Sequence, residues 1–230
     1  MAKKQFFMIV DTETSITDKV ADFAAVIVDR RGNIQNQMAC LVSGVFGIDD
    51  LFYNKSSPDE IWTLKGLEIR NQKYSEMLNT GERMMASVNG INKWLAQAKN
   101  RYPDLIFTAY NSIFDLGKMS NTGIDTEFKN KFCMMRAAQN RVMNNKAYYQ
   151  HCLDRKWFTA KLQFRTNAEA MAEFVEGGEL PAEPHTALED ILDYELPIFK
   201  WLLLNTSWKN LDQKAYNWRE WQLKELVSPK

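Results

Sequence analysis

The sequence predicts an α/β fold, with a mixed five-stranded sheet flanked by helices. Three strands should form an antiparallel meander and two should be parallel. Three short apolar segments follow one another closely near the N-terminus, as the strands of a meander do. Two later apolar segments alternate with stretches of helical spacing. The 230 residues are 45% apolar and 25% charged, which is typical of an ordinary globular protein.

The first strand is predicted at Gln5 to Val10, a mostly apolar run that ends at an acidic residue. Phe23 to Asp29 is a second such run. Arg30 to Asn33 contains a glycine and an asparagine, which is typical of a turn. We therefore expect the segment after this turn, Gln37 to Val42, to be the third strand of the meander.

Helical signals dominate the next part of the chain. Ser57 to Glu60 has the pattern of a helix start, with an N-cap serine and a proline at the first helical position. Thr80 to Gln97 is predicted to be a helix because four apolar residues recur there at spacings of three and four. These residues are Met84, Val88, Ile91 and Leu95.

The second half of the chain supplies the remaining elements. Leu105 to Tyr110 is the predicted fourth strand, with a short helix after Asn111, and Phe132 to Met135 is the fifth. Thr166 to Val175 has a helical pattern and is followed by two glycines, which commonly end a helix. A last helix is predicted to bury one face formed by Ala187, Ile191, Tyr194 and Ile198.

Residues 1–230 are predicted to form one domain. No apolar run is long enough to span a membrane, and the N-terminus lacks the apolar core of a signal peptide, so we expect a cytoplasmic protein without a membrane partner. The three cysteines form no C-x-x-C pair, which argues against a disulfide framework and a zinc site. The tail at 205–230 carries three tryptophans; we expect a helical extension packed on the domain, with a docking segment as the alternative.

Charge is distributed unevenly although the net charge is zero. The basic segment, Lys129 to Arg165, has nine lysines and arginines, one acid and several aromatic residues, whereas Thr166 to Phe199 has nine acids and no lysine or arginine. Basic residues interleaved with aromatic ones suit a single-stranded nucleic acid, because they can bind phosphates and stack on bases. The alternative is a solvated face with ordinary core aromatics.

Three acids follow predicted strands. Asp11 and Glu13 are two residues apart, so strand geometry places both side chains on the same face. Two adjacent carboxylates repel each other, and a divalent cation such as Mg²⁺ relieves that repulsion. Asp115 lies beyond the fourth strand, where sites form in α/β sheets. The alternatives are a polar strand end for the first pair and an acid favoured by a helix dipole for Asp115.

The last predicted helix carries the remaining candidates. His185 lies just before this helix, and Asp190 lies beside its apolar face, where an acid needs a partner or a metal. The other acids of the helix have simpler interpretations. We assign Glu189 to a capping box with the N-cap threonine, and Asp193 and Glu195 to a solvated face.

The order of these residues resembles a known nuclease family. A D-x-E pair ends the first strand, N-x-x-F-D follows a later strand, and H-x-x-x-x-D opens a late helix. In order, spacing and context they resemble the three exonuclease motifs of the DEDDh branch of the DnaQ-like 3′–5′ exonucleases, which have a ribonuclease-H-like fold. The resemblance runs from about Phe6 to Tyr194, most of the chain.

The resemblance implies a two-metal mechanism. Asp11, Glu13, Asp115 and Asp190 would hold two Mg²⁺ or Mn²⁺ ions, and His185 would be the general base that takes a proton from the attacking water. The implied substrate is a nucleic acid with a free 3′ end, with single-stranded DNA favoured. The implied products are nucleoside 5′-monophosphates.

Four further residues receive roles from the same resemblance. The backbone of Thr12 and Thr14 is expected to meet the terminal nucleotide, and Asn111 is expected to brace the loop of the second motif. Phe114 is expected to pack in the core, with a wedge near the terminal base as the alternative. Residues 47–99 match the family poorly, and we expect them to set substrate choice.

Two alternatives stay open. The first is an oligoribonuclease or another RNA-trimming exonuclease, which recognition of the 2′-hydroxyl would distinguish. The second is a catalytically silent nucleic-acid-binding or polymerase-partner module. Loss of one of the five motif residues would favour the silent module, and all five are present.

Overall fold

The computed structural model describes residues 4–142, 145–159 and 161–206. Within these residues six strands form one mixed sheet: β1 (Phe6–Thr14), β2 (Val20–Asp29), β3 (Ile34–Val42), β4 (Met84–Ala86), β5 (Ile106–Ala109) and β6 (Asn130–Cys133). Their order across the sheet is β4-β3-β2-β1-β5-β6. The first three strands pair antiparallel, and β4, β5 and β6 each join a neighbour in parallel. The predicted α/β class and the meander are confirmed.

Helices flank this sheet. In the described part of the chain they are α1 (Leu64–Thr80), α2 (Val88–Arg101), α3 (Ser112–Thr122), α4 (Met134–Val142), α5 (Lys146–Arg155), α6 (Ala168–Glu176), α7 (Ala187–Asp190) and α8 (Leu196–Asn205). A π-helical turn at Ile191–Glu195 connects α7 to α8. None of the described helices is both long and apolar enough to cross a membrane. The three tail tryptophans lie outside the described residues, so the packed extension at 205–230 stays a prediction.

The sheet has six strands rather than the predicted five, because β4 falls inside the segment predicted as one helix at 80–97. Helix α1 ends at Thr80, where Gly81 takes a left-handed conformation with φ 78° and its amide donates to the Leu78 carbonyl. The chain then pairs with the edge of β3. Met84 is 71% exposed, so its helical spacing did not mark a buried face. A new helix, α2, begins after the Ser87 cap.

Other helix boundaries agree better with the sequence. The helix start predicted at Ser57 is displaced, because a short 3₁₀ turn at Glu60–Trp62 comes first and Thr63 caps α1. Helix α6 ends at Gly177 in a left-handed conformation, as predicted. The predicted apolar face of the last helix is buried in all four of its members.

Alternation along β1 determines which layer each end residue faces. Phe7 and Ile9 pack into the core shared with α4, α6 and α8, whereas Met8 and Val10 pack into the core shared with α1 and α2. Asp11 and Glu13 continue the odd-numbered positions of the strand. Their carboxylates are therefore directed to the same layer as α7.

Candidate metal centre

Four predicted acids meet where β1 ends. Asp11 and Glu13 belong to β1, and Asp115 lies in the first turn of α3, directly after the neighbouring strand β5. Asp190 ends α7. Burial raises the pKa of the Asp11 carboxyl well above its usual range, and the negative charges of Glu195, Asp115, Asp190 and Glu13 raise it further. Such mutual repulsion requires the acids to be close together.

Three of the predicted residues come close enough to share one metal ion. Glu13, His185 and Asp190 each offer a ligand atom, and these atoms all lie within 4.8 Å of one another. His185 Nδ1 is 3.9 Å from Glu13 Oε1. Among the described residues, Asp11 and Asp115 fall outside this tight group. The site therefore has two sides: the His185 side, with Glu13 and Asp190, and the Asp11 side, with Asp115.

Buried oxygens without partners indicate that cations fit this site. Asp11 Oδ2 and Asp190 Oδ1 are fully buried and have no hydrogen-bond partner in the described part of the chain. Burial raises the pKa of Glu13 to about 8. Burial also raises the pKa of Asp115 to about 7, although Thr12 Oγ1 donates to Asp115 Oδ1 at 2.9 Å. Unpaired buried carboxylates are costly, and hard divalent ions prefer such oxygen ligands.

His185 has an uncommon backbone conformation and a partly buried, weakly basic imidazole. Its backbone has φ 51°, an uncommon left-handed conformation for a residue other than glycine. Its ring lies against Trp62, with centroids 4.4 Å apart. Burial lowers the pKa of His185 to about 4, and the positive charges of Arg70 and Lys73 contribute. The imidazole is therefore neutral at neutral pH and can accept a proton.

A buried hydrogen-bond network holds the backbone on both sides of His185. Asp22 Oδ2 accepts from the Tyr74 hydroxyl and from the Ala187 amide, each at 3.0 Å. The Tyr74 hydroxyl also lies 3.3 Å from the His185 carbonyl oxygen. Arg83 Nε is 3.5 Å from Asp22 Oδ1. This network joins β2 and the region before α2 to the turn that carries His185.

The capping role predicted for Glu189 is wrong. The Thr186 side chain makes no capping hydrogen bond, so the reciprocal pattern of a capping box is absent at this helix start. Glu189 instead forms an ion pair with Arg83. Arg83 is buried between Asp22 and Glu189, and it needs both carboxylates because a buried guanidinium without partners is costly.

The solvated position predicted for Glu195 is also wrong, whereas Asp193 is exposed as predicted. Glu195 is only 3% exposed, and its Oε1 accepts a hydrogen bond from the Tyr110 amide at 3.2 Å. The cause is the π-helical turn, in which the Leu196 amide donates to the Ile191 carbonyl, five residues earlier. This wider turn changes which residues face inward, and a regular helical period does not predict it.

Region 47–99 contributes site residues that no sequence pattern marks. Arg70 is 2% exposed, its Nη2 donates to the Phe52 carbonyl at 2.6 Å, and its guanidinium lies 4.9 Å from the ring centre of Trp62. The charge of Arg70 lowers the pKa of Glu13, against the larger effect of burial. These contacts join residues far apart in the chain, so no local motif marks them.

The four residues expected near the substrate differ in their surroundings. Thr12 is buried and bonds Asp115, and the Thr14 carbonyl accepts from the Phe52 amide at 2.7 Å. Asn111 is exposed with φ 82°, and its carbonyl accepts from the Phe114 amide at 2.8 Å. The prediction that Phe114 packs in the core is wrong. Its ring is 43% exposed, because Asp115 rather than Phe114 takes the inward position of this helical turn.

The basic segment does not present most of its aromatic rings to solvent. Phe132, Tyr148 and Phe164 are buried in the core beside α8. Trp157 and Phe158 are partly buried against the same core. The aromatic part of the predicted strand-binding surface is therefore wrong for Phe132, Tyr148 and Phe164, whose presence core packing explains. For Trp157 and Phe158 it stays a prediction.

Comparison with known proteins gives no family for this chain. A scan against models of protein families finds no match, and a search of curated proteins finds no significantly similar sequence. The case for a function therefore depends on the residues of the site.

Proposed function

We propose that this protein is a metal-dependent 3′–5′ exonuclease of the DEDDh type with a ribonuclease-H-like fold. The observation that supports it most is the meeting of five residues at one end of β1, two of which have buried carboxylate oxygens without a hydrogen-bond partner among the described residues. These residues are Asp11, Glu13, Asp115, Asp190 and His185. A six-stranded sheet with an antiparallel meander and added parallel strands is compatible with that fold.

The acids would hold divalent ions, and Mg²⁺ or Mn²⁺ suits a set of oxygen ligands. Bound ions would supply Lewis-acid activation of water and would stabilise charge on the phosphodiester. His185 would accept the proton of the attacking water on an imidazole nitrogen, which its lowered pKa leaves free at neutral pH. The bond from phosphorus to the 3′ oxygen of the remaining strand breaks as the bond to the water oxygen forms. That 3′ oxygen takes a proton from solvent, and a nucleoside 5′-monophosphate is released.

A single-stranded 3′ end is the substrate that best fits the surface beside Asp115. Phe114 exposes its ring there, and Lys118 Nζ lies 4.6 Å from the centre of that ring. An exposed ring can stack on a base, whereas the Lys118 ammonium beside it is already paired with Asp18. We favour DNA, and RNA trimming is the alternative. A catalytically silent binding module is the alternative of another class. Such a module gives no reason for buried carboxylate oxygens that have no hydrogen-bond partner in the described part of the chain.

The test uses purified protein with Mg²⁺ or Mn²⁺ and end-labelled DNA and RNA, each single-stranded and double-stranded. With a 5′ label on single-stranded DNA, we expect a ladder that shortens one nucleotide at a time. With a 3′ label, the first labelled product should be a mononucleotide. Internal cuts or 5′–3′ polarity would contradict the proposal, and a ladder on RNA alone would favour the oligoribonuclease.

A further inference from the structure

Glu195 is a buried acid that none of the three motifs contains. One carboxylate oxygen, Oε1, accepts from the Tyr110 amide, whereas Oε2 is fully buried and has no hydrogen-bond partner among the described residues. Because Glu195 is 97% buried, water cannot easily donate a hydrogen bond to Oε2 in place of a protein group. Burial raises the pKa of Glu195 well above its usual range, so Oε2 either keeps a proton or has a cation as its partner.

Strand register places this carboxylate beside Asp11. Tyr110 directly follows β5, which runs parallel to β1 with Thr108 opposite Ile9. Asp11 and Tyr110 each follow this last pair by two residues, so they lie at the same end of the two neighbouring strands. Electrostatics agree with this position. Burial is the largest cause of the raised pKa of both Asp11 and Glu195. Among charged groups, Glu195 raises the pKa of Asp11 most, and Asp115 raises the pKa of Glu195 most.

The π-helical turn explains how Glu195 reaches the site. In a regular α-helix, a residue five positions after Asp190 would be rotated about 140° away from it. The bond from the Leu196 amide to the Ile191 carbonyl closes a wider turn over this segment. Asp190 and Glu195 are each only 3% exposed. Such turns are rare and often occur at functional sites.

We propose that Glu195 is a fifth carboxylate of the metal centre, whose Oε2 binds the divalent ion on the Asp11 side. The inference rests on the proposed function, in which two ions occupy the site. Glu13, His185 and Asp190 already provide a tight group on the His185 side. Glu195 adds a third acid to Asp11 and Asp115, so that the Asp11 side also has three protein groups. A residue that only braced Tyr110 would not need a charge, because a glutamine carbonyl accepts the same hydrogen bond.

The test compares Mn²⁺ binding to the wild-type protein and to Glu195→Gln by calorimetry and electron paramagnetic resonance. The wild type should bind two ions, and Glu195→Gln should bind one normally and the other at least about 10-fold more weakly. Asp193→Asn, an exposed acid in the same turn, is the matched control and should bind both ions like the wild type. Binding of both ions with wild-type affinity by Glu195→Gln would overturn the inference.

The two proposals can fail separately. A wild-type protein that binds no Mn²⁺ would contradict the exonuclease proposal itself, whereas unchanged binding by Glu195→Gln would contradict only the role of Glu195. If Glu195→Gln does not fold, wild-type crystals soaked in Mn²⁺ provide the answer. An anomalous peak within about 2.5 Å of Oε2 supports the inference, and a peak farther away or none on the Asp11 side overturns it.

Discussion

The two sides of the candidate metal centre handle negative charge differently. On the His185 side, Arg70 lowers the pKa of Glu13, and a neutral imidazole sits among the acids. On the Asp11 side, the charges that act most strongly on Asp11 are all negative. The protein therefore offsets part of the repulsion at Glu13, whereas at Asp11 and also at Asp190 the charges that act most strongly are all negative. Added cations should therefore matter most at Asp11 and Asp190.

The largest expected loss of turnover comes from removing a carboxylate on the His185 side. Asp190→Asn removes the charge of a buried ligand whose Oδ1 has no hydrogen-bond partner in the described part of the chain. It should lower turnover by at least about 10³-fold, or roughly 4 kcal/mol in the barrier. The metal-free protein should keep its folded structure, as circular dichroism would show. Asp193→Asn is the matched control and should leave turnover unchanged. Wild-type turnover in Asp190→Asn would remove Asp190 from the metal centre.

A smaller effect should separate the two roles open to His185. As a general base, His185→Gln should lower the rate by about 10²-fold and leave the number of bound Mn²⁺ ions at two. Its closeness to Glu13 and Asp190 also allows it to be a ligand. If His185→Gln binds one Mn²⁺ ion fewer, His185 is a metal ligand rather than the general base. An unchanged rate would exclude both roles.

The smallest effect concerns stability without metal. Glu13 has a pKa of about 8 in the folded protein against an ordinary 4.5, and Asp115 has about 7 against 3.8. Between its ordinary and its raised pKa, each of these acids has lost its proton in the unfolded chain but keeps it in the folded protein. The free energy of unfolding therefore falls as pH rises from about 4 to 8. In EDTA, the melting temperature should drop by several degrees over this window.

Two controls sharpen that measurement. Mg²⁺ should flatten the pH dependence, because bound cations replace the protons, and Glu13→Gln in EDTA should reduce it. A melting temperature in EDTA that is constant or rises between pH 5 and 8 would contradict the claim that these buried acids have raised pKa values in the folded protein.

The sequence was informative where residues lie on regular elements. Asp11 and Glu13 lie two apart on a strand, and Asp115 follows the adjacent strand, so elementary geometry predicts that they meet. The predicted solvated position of Glu195 is wrong because a π-helical turn breaks the regular helical period on which that prediction depends. The sixth strand was missed because its three residues pair at an edge and one of them is largely exposed.

The surroundings of His185 could not be predicted for a different reason. Tyr74 and Asp22 are 52 residues apart, and Asp22 and Ala187 are 165 apart. Such contacts depend on how α1 and α7 pack around the sheet, so no local sequence pattern predicts them. The five motif residues were found because their spacing resembles a known family, whereas the residues that hold them have no such pattern.

Metal-dependent shortening of 5′-labelled single-stranded DNA from its 3′ end is the most direct test of the account. With Mg²⁺, the wild-type protein should produce a ladder of shorter products and release nucleoside 5′-monophosphates, and EDTA should abolish both. Undiminished hydrolysis in EDTA, or no hydrolysis of any single strand with either Mg²⁺ or Mn²⁺, would contradict it.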